Sequence, residues 1–170
     1  MSKKTPFLDL LQKNQLPYQL HEHEPLFTVE DAKKISHQIQ GAHSKNLFLK
    51  DKKKSFFLVS ALEHKRVDLK TLSKSYGKGG LSFANAEELD EKLKLTPGSV
   101  TPFALMHDTT HEVTFLLDQD FTKFEMVNFH PLQNDLTVSM DISSFMRFFE
   151  IIQHPPKLIE IPQLLNPLCL

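Results

Sequence analysis

Nine histidines, a single cysteine and a lysine-rich middle are the features of this chain that invite chemistry. His21-x-His23 lies in an alternating segment, which puts both rings on one face of a strand, and His107-x-x-x-His111 has the spacing of a zinc pair on a helix. The second pair falls across HDTTH, a turn between apolar segments, without the glutamate of a metalloprotease motif, so no metal is expected. Cys169, second from the C-terminus, has no cysteine partner for a disulfide or a zinc site. The chain contains no Gly-x-Ser-x-Gly elbow, P-loop or dinucleotide fingerprint. On these motifs alone it is a soluble α/β domain without an assigned reaction.

Positive charge is concentrated. From Lys45 to Lys78 there are ten Lys/Arg against three acids, a local balance of +7 that leaves −8 for the rest of a chain whose net charge is −1. Such a stretch is either a solvated hairpin turn plus a solvated helix face or a surface that meets RNA phosphates. Lys50, Lys52, Lys53, Lys54, Lys65 and Arg66 are the candidates for the second role. The near-neutral total excludes a protein that holds nucleic acid or an anionic membrane by bulk charge.

These residues must be positioned by about one domain's worth of structure, since the chain has 170 residues, 40% of them hydrophobic. The N-terminal apolar stretch is interrupted by Asp9, Gln12 and Lys13, so it lacks a secretory core, and no apolar run is long enough for a membrane helix. A reducing, cytoplasmic setting is expected. Thr5-Pro6 opens a short helix that ends before Pro17, and YQLHEH over 18–23 is a strand. Thr28 with Asp31 caps a helix to about His37. KNLFLKD and SFFLVSAL, separated by lysines 52–54, form a hairpin. Asp68, Asn85 and Asp141 cap three further helices, and Gly77 suits a left-handed helix end. FALM, EVTFLLD, KFEMVNF and LTVSMD are expected as strands, clustered with the others in two antiparallel groups. The expected division is a domain over 1–154 and a Pro/Leu-rich tail over 155–170, whose Leu158, Ile159, Ile161, Leu164, Leu165 and Leu168 pack back or meet a partner.

Three ordered segments sharpen this. Gly41-x-x-x-Lys45-Asn46-Leu47-Phe48-Leu49 enters the first long strand, Gly98-Ser99-Val100-Thr101-Pro102 forms a restricted loop, and His130-Pro131-Leu132-Gln133-Asn134 follows a late strand. With His23-Glu24-Pro25-Leu26-Phe27-Thr28-Val29-Glu30-Asp31-Ala32, Arg66-Val67-Asp68-Leu69-Lys70 and Leu81-Ser82-Phe83-Ala84, they resemble the YbaK/ProX family of aminoacyl-tRNA editing domains over nearly the whole chain. The Lys-Asn pair and His-Pro-x-x-Asn look closest to the branch that hydrolyses alanine wrongly attached to proline tRNA. A Lys-Thr pair would favour the cysteine-editing branch.

The resemblance implies a single-domain α/β fold like the insertion domain of bacterial prolyl-tRNA synthetase: a mixed, mostly antiparallel sheet with surrounding helices. It also implies a pocket near the strand bearing Lys45, and neither metal nor other cofactor. The activity implied is hydrolysis of alanyl-tRNA(Pro), with prolyl-tRNA synthetase as a further partner and no role for DNA or membrane. Lys45 would orient the ester through a phosphate or ribose oxygen, and Asn46 would bond the adenosine or the aminoacyl group. Backbone N–H groups of the loop Gly98, Ser99, Val100 and Thr101, stiffened at its exit by Pro102, would hold the ester carbonyl. His130 and Asn134 would contact substrate, with Leu47, Val100, Phe103 and Phe129 as pocket walls. Alternatives are hydrolysis of cysteinyl-tRNA or another misacylated tRNA, and a non-catalytic module that binds tRNA or a synthetase.

Overall fold

The computed structural model describes residues 5–165; Cys169 and Leu168 lie outside them. Among the described residues, five α-helices begin where side chains satisfy the orphan N–H groups of a first turn. Thr5 accepts from Leu8 N–H to open α1 (Pro6–Lys13), whose first residue is proline. Reciprocal capping boxes, Thr28 with Asp31 and Asn85 with Glu88, open α2 (Val29–Gln38) and α4 (Ala86–Leu93). Asp68 and Asp141 cap α3 (Leu69–Ser75) and α5 (Ile142–Ile151).

Among the described residues, eight strands form one sheet: β1 (Gln19–Glu22), β2 (Ala42–Asp51), β3 (Phe56–Leu62), β4 (Leu81–Phe83), β5 (Val113–Asp118), β6 (Met126–Phe129), β7 (Leu136–Asp141) and β8 (Lys157–Ile159). Their order is β1-β7-β6-β2-β3-β5-β8, with β4 beside β2. Four neighbouring pairs are antiparallel, and β2–β6, β3–β5 and β5–β8 are parallel. The two antiparallel groups expected from sequence are therefore halves of one mixed sheet, joined through the short parallel contact Ala42–Val127 and His43–Asn128.

One expectation is corrected. FALM is not a strand but part of a 3-10 helix, Pro102–His107, nucleated by Pro102 and by the Thr101 hydroxyl accepting from Phe103 N–H. Residues 155–165 pack back on the domain, the first of the two alternatives expected for that segment. Lys157–Ile159 extends the sheet beside β5, Val67 bridges Gln163, and Ile159 and Ile161 are buried in the core. Prolines at 155, 156 and 162 end helices, yet they leave room for a three-residue edge strand.

One sheet face carries Ala42, Phe48, Phe56, Leu58, Phe115 and Val138 against α1, α4 and α5. Phe103, fully buried, is the hub of that side: its ring meets Phe7, Phe129, Phe145, Phe148 and Phe149 at centroid distances of 4.4–6.2 Å. On the other face α3 covers Leu49, Phe57, Val59 and Leu116 through Leu72. Toward β1, β6 and β7 that same face turns polar, with His21, His43, Asn128, Thr137 and Ser139, and α2 lies over it.

Candidate active site

The site follows from how β2 is paired. Glu63 N–H donates to His43 O (2.9 Å) and Asp51 N–H donates to Ser55 O (3.0 Å), so odd-numbered backbone groups of β2 bond to β3. Even-numbered groups point the other way. There β6 occupies only the first positions and β4 only Leu49–Asp51, and Phe48 O accepts from Ala84 N–H. Between them the edge is open, and Asn46 presents its N–H and C=O to the opening. Gly41 makes the β2–β6 junction possible: its φ is +104°, and a Cβ there would lie 2.7 Å from Met126 O.

Beside this opening is a pocket of about 40 Å³ lined by Leu26, Ile35, Glu63, Phe129, His130 and Thr137, among others. A water needs at least roughly 10–15 Å³ on this measure, so the space is that of about three waters. His130 projects from the end of β6. Its Nδ1 is 2.8 Å from Leu136 O and must donate to that carbonyl, which leaves Nε2 as an acceptor when the ring is neutral. Burial lowers its pKa, the Leu136 bond opposes this, and His23 and His43 add to the lowering. His130 is thus held neutral more firmly than a free histidine.

Lys45 shares its sheet face with His43, because side chains alternate along β2. Burial lowers its pKa, with Glu63 attracting and Arg66 repelling the charge. It makes no ion pair among the described residues, whereas the Glu63 carboxylate accepts from the Ser36 hydroxyl (2.5 Å). A partly buried ammonium without a carboxylate is costly, and an anionic or carbonyl ligand would relieve it. Asn46 points to the opposite face, where its Oδ1 accepts from Ser60 (2.6 Å) and its Nδ2 lies 3.3 Å from Ser44 Oγ. The two neighbours therefore flank the opening from opposite sides.

The Gly98–Pro102 loop reaches the site through Asn134, whose Nδ2 is the nearest atom to the position of a Gly98 Cβ, at 4.0 Å. Asn134 in turn pairs with Leu26, its backbone O accepting from Leu26 N–H and its Nδ2 donating to Leu26 O. Ser99 N–H is spent on Thr96 O, and the Thr101 hydroxyl caps the 3-10 helix. The N–H groups of Gly98 and Val100 have no partner among the described residues, which leaves them available to a carbonyl oxygen.

Other expected residues are placed elsewhere. Of the four wall candidates, Phe129 lines the pocket, Val100 packs against the hydrophobic core, Phe103 is buried core, and Leu47 packs toward α3. Lys65 is withdrawn from the RNA-facing set: it is 5% exposed and its ammonium bonds Asp118 (3.0 Å) and Asp120 (2.7 Å). Lys50 is held by Glu88 at 2.8 Å, while Lys52, Lys53, Lys54 and Arg66 are exposed. His107 and His111 do not share a helix face, since His111 lies in a turn with φ +56°. No cluster of three or more potential metal ligands occurs among the described residues, and no described helix is long and apolar enough to cross a membrane. Sequence reasoning misses His43, Glu63, Ser36, Asn128 and Thr137. His43, Asn128 and Thr137 lie on segments whose strand character is visible in the sequence, but their meeting with Glu63 after β3 and Ser36 on α2 depends on long-range pairing.

The family of aminoacyl-tRNA editing domains matches residues 23–148, from just after β1 through most of α5. The chain belongs to that family. Its activity is the hydrolysis of aminoacyl-tRNA, so this chain is an aminoacyl-tRNA hydrolase. Prolyl-tRNA synthetase associated domain-containing protein 1 of Xenopus laevis is 43% identical over 81% of this chain and 84% of its own length. The prolyl-tRNA editing protein ProX of Acetoanaerobium sticklandii is 34% identical over 95% of this chain and 99% of that protein. A crystal structure described as that of a candidate trans-editing enzyme for prolyl tRNA synthetase has the same fold, with TM-score 0.64 and 16% identity over 95% of this chain and 99% of that one.

Proposed function

We propose that this editing domain acts in trans on tRNA(Pro) mischarged with alanine, releasing alanine and leaving the tRNA intact. The observation that carries the reading is Lys45, a partly buried ammonium without an ion-pair partner among the described residues, at an open strand edge beside a pocket of about 40 Å³. The names of the relatives above point to the proline system. The pocket supports the choice of amino acid: it suits a methyl group, and the proline ring carries two more carbons. Exclusion by overlap is physically easier than discrimination by extra methylene contacts, which yields about 10–200-fold.

In this reading Lys45 holds a phosphate or ribose oxygen of the terminal adenosine, and the backbone of Asn46 completes the seat at the open edge. Gly98 and Val100 N–H groups receive the ester carbonyl oxygen and stabilise the negative charge that develops on it. Neutral His130 offers Nε2 to the substrate amine. Water, oriented by the neighbouring ribose hydroxyl, adds to the carbonyl carbon and gives up one proton; the bond from that carbon to the esterified ribose oxygen breaks, and that oxygen takes up a proton, releasing free alanine and a tRNA with both terminal hydroxyls restored. Prolyl-tRNA synthetase, which makes the mischarged ester, is the natural protein partner.

The test supplies purified protein with alanyl-, cysteinyl- and prolyl-tRNA(Pro) and follows release of each amino acid. Release of alanine alone is expected. Preferential release of cysteine would move the assignment to a cysteine-editing enzyme, and absence of release from all three would overturn it. Lys45→Ala should lower the alanine rate at least ~100-fold, the scale on which loss of a positioning group acts, while leaving the melting temperature close to that of the unmodified chain. An undiminished rate would remove Lys45 from the site.

A further inference from the structure

Phe83, the last residue of β4, is 61% exposed. It pairs with Leu49 of β2, so its ring stands on the same sheet face as Lys45 and Leu47. One exposed phenylalanine is ordinary. This one borders a set of lysines whose neighbouring acid, Asp51, is turned inward.

Asp51 binds two loops into one platform. Its carboxylate accepts from the backbone N–H groups of Lys53 (2.9 Å) and Ser55 (2.8 Å) on the β2–β3 turn and of Lys78 (2.9 Å) on the loop before β4. Lys52 N–H also donates to Lys78 O at 3.1 Å. The Ser55 bond, with help from Lys78 and Lys53, holds the Asp51 carboxyl below its ordinary range despite burial. Lys52, Lys53, Lys54 and Lys78 project from this platform and form no ion pair among the described residues. Between the loops lies a groove of about 370 Å³ lined by Lys50, Lys52, Lys54, Gly79, Gly80 and Ser82. Lys50 contributes less, because Glu88 already neutralises it.

The platform and Phe83 are aligned with the active-site opening. From Asn46 to Leu49 is three residues of strand, roughly 10 Å, or about three base-stacking steps at ~3.4 Å each. Aromatic faces that take successive bases, next to cations that take the backbone, are what a single-stranded nucleic acid requires. We infer that the unpaired 3′ end of the tRNA leaves the Lys45 pocket along the open edge of β2 and stacks a base on Phe83. Its backbone phosphates then rest on the Lys52–Lys54 turn and on Lys78. The path rests on the proposed function for where the RNA terminus sits, but its binding does not depend on hydrolysis.

Uncharged tRNA(Pro), intact or trimmed of its unpaired 3′ nucleotides, separates the two ideas when binding to the full chain is measured over a range of salt. Phe83→Leu should weaken binding of the intact tRNA by about five-fold or more, as removal of one stacked base does, and leave the trimmed tRNA unchanged; Phe83→Tyr should restore binding. Equal weakening of both RNAs, or of neither, overturns the stacking role. Replacing Lys52, Lys53, Lys54 and Lys78 with serine should weaken binding and reduce its salt slope by about 0.7 for each single-strand phosphate that is no longer neutralised. An unchanged slope overturns the phosphate path. Alanine release with no effect of these variants on binding would leave the enzyme and remove the path. The expected binding pattern without hydrolysis would leave the path and remove the proposed substrate.

Discussion

At the scale of single residues, charge alone does not reveal role. Lys65 and Lys45 sit twenty residues apart in the same basic stretch, yet one is buried against two carboxylates and the other makes no ion pair among the described residues. Burial lowers the Lys65 pKa, and the hydrogen bonds it donates to Asp120 and Asp118 more than reverse this, so the three residues form a structural clamp. Lys65→Ala should therefore destabilise the fold by about 3–5 kcal/mol, because Asp118 is left buried and unpaired, as denaturant unfolding would report. A stable Lys65→Ala protein with impaired RNA binding would reverse that assignment. His130 gives a pH prediction. Its folded-state pKa is depressed, so between that value and the ordinary histidine pKa the unfolded chain binds more protons. The stabilising contribution is full above the ordinary range, near 6.5, and is lost as pH falls below it. His130→Gln should lose less melting temperature than the unmodified chain when pH is lowered from about one unit above the ordinary histidine value to about one unit below it; parallel losses would contradict the depressed pKa.

At the scale of elements, Gly98 and Gly41 make a paired test. Both have positive φ, but a Cβ on Gly41 meets Met126 O at 2.7 Å, whereas one on Gly98 meets nothing nearer than 4.0 Å. Gly98→Ala should cost only about 1 kcal/mol of stability from backbone strain, yet displace the loop amides and reduce hydrolysis by more than about ten-fold. If its activity is unchanged, the loop does not hold the ester carbonyl. The helices are legible in the sequence because Thr28, Asn85, Asp68 and Asp141 each signal a start through local hydrogen bonding. FALM is not, since four apolar residues after a proline have no period that separates a strand from a 3-10 turn. Of the site, the Lys45-Asn46, Gly98–Pro102 and His130–Asn134 segments stand out as motifs. Glu63, His43 and Thr137 do not, because only the pairing of β2 with β3 and β6, and of β6 with β7, brings them under α2. Lys65 misleads for the same reason: its partners lie more than fifty residues away.

At the scale of the whole molecule, the split between β2 and β6 makes the site, and the rest of the sheet holds that split open. The aromatic side, centred on Phe103, anchors α1 and α5 beneath it, while α2 and α3 cover separate parts of the other face. Residues 155–165 belong to this scaffold. Ending the chain after His154 would strip Ile159 and Ile161 from the core, worth about 1.5–3 kcal/mol each, and expose the β5 edge. The shortened chain should melt well below the full one or aggregate; an unchanged melting temperature would make the segment dispensable. The near-neutral net charge of −1 fits this architecture, because positive charge is gathered where an RNA end would pass. The most direct measurement is the ratio of single-turnover rates for alanyl and prolyl esters on the same tRNA(Pro). Exclusion by overlap predicts that alanine is released at least several hundred times faster, beyond the roughly 10–200-fold that methylene contacts supply. Comparable rates for the two esters, or no hydrolysis of the alanyl ester, would contradict the account.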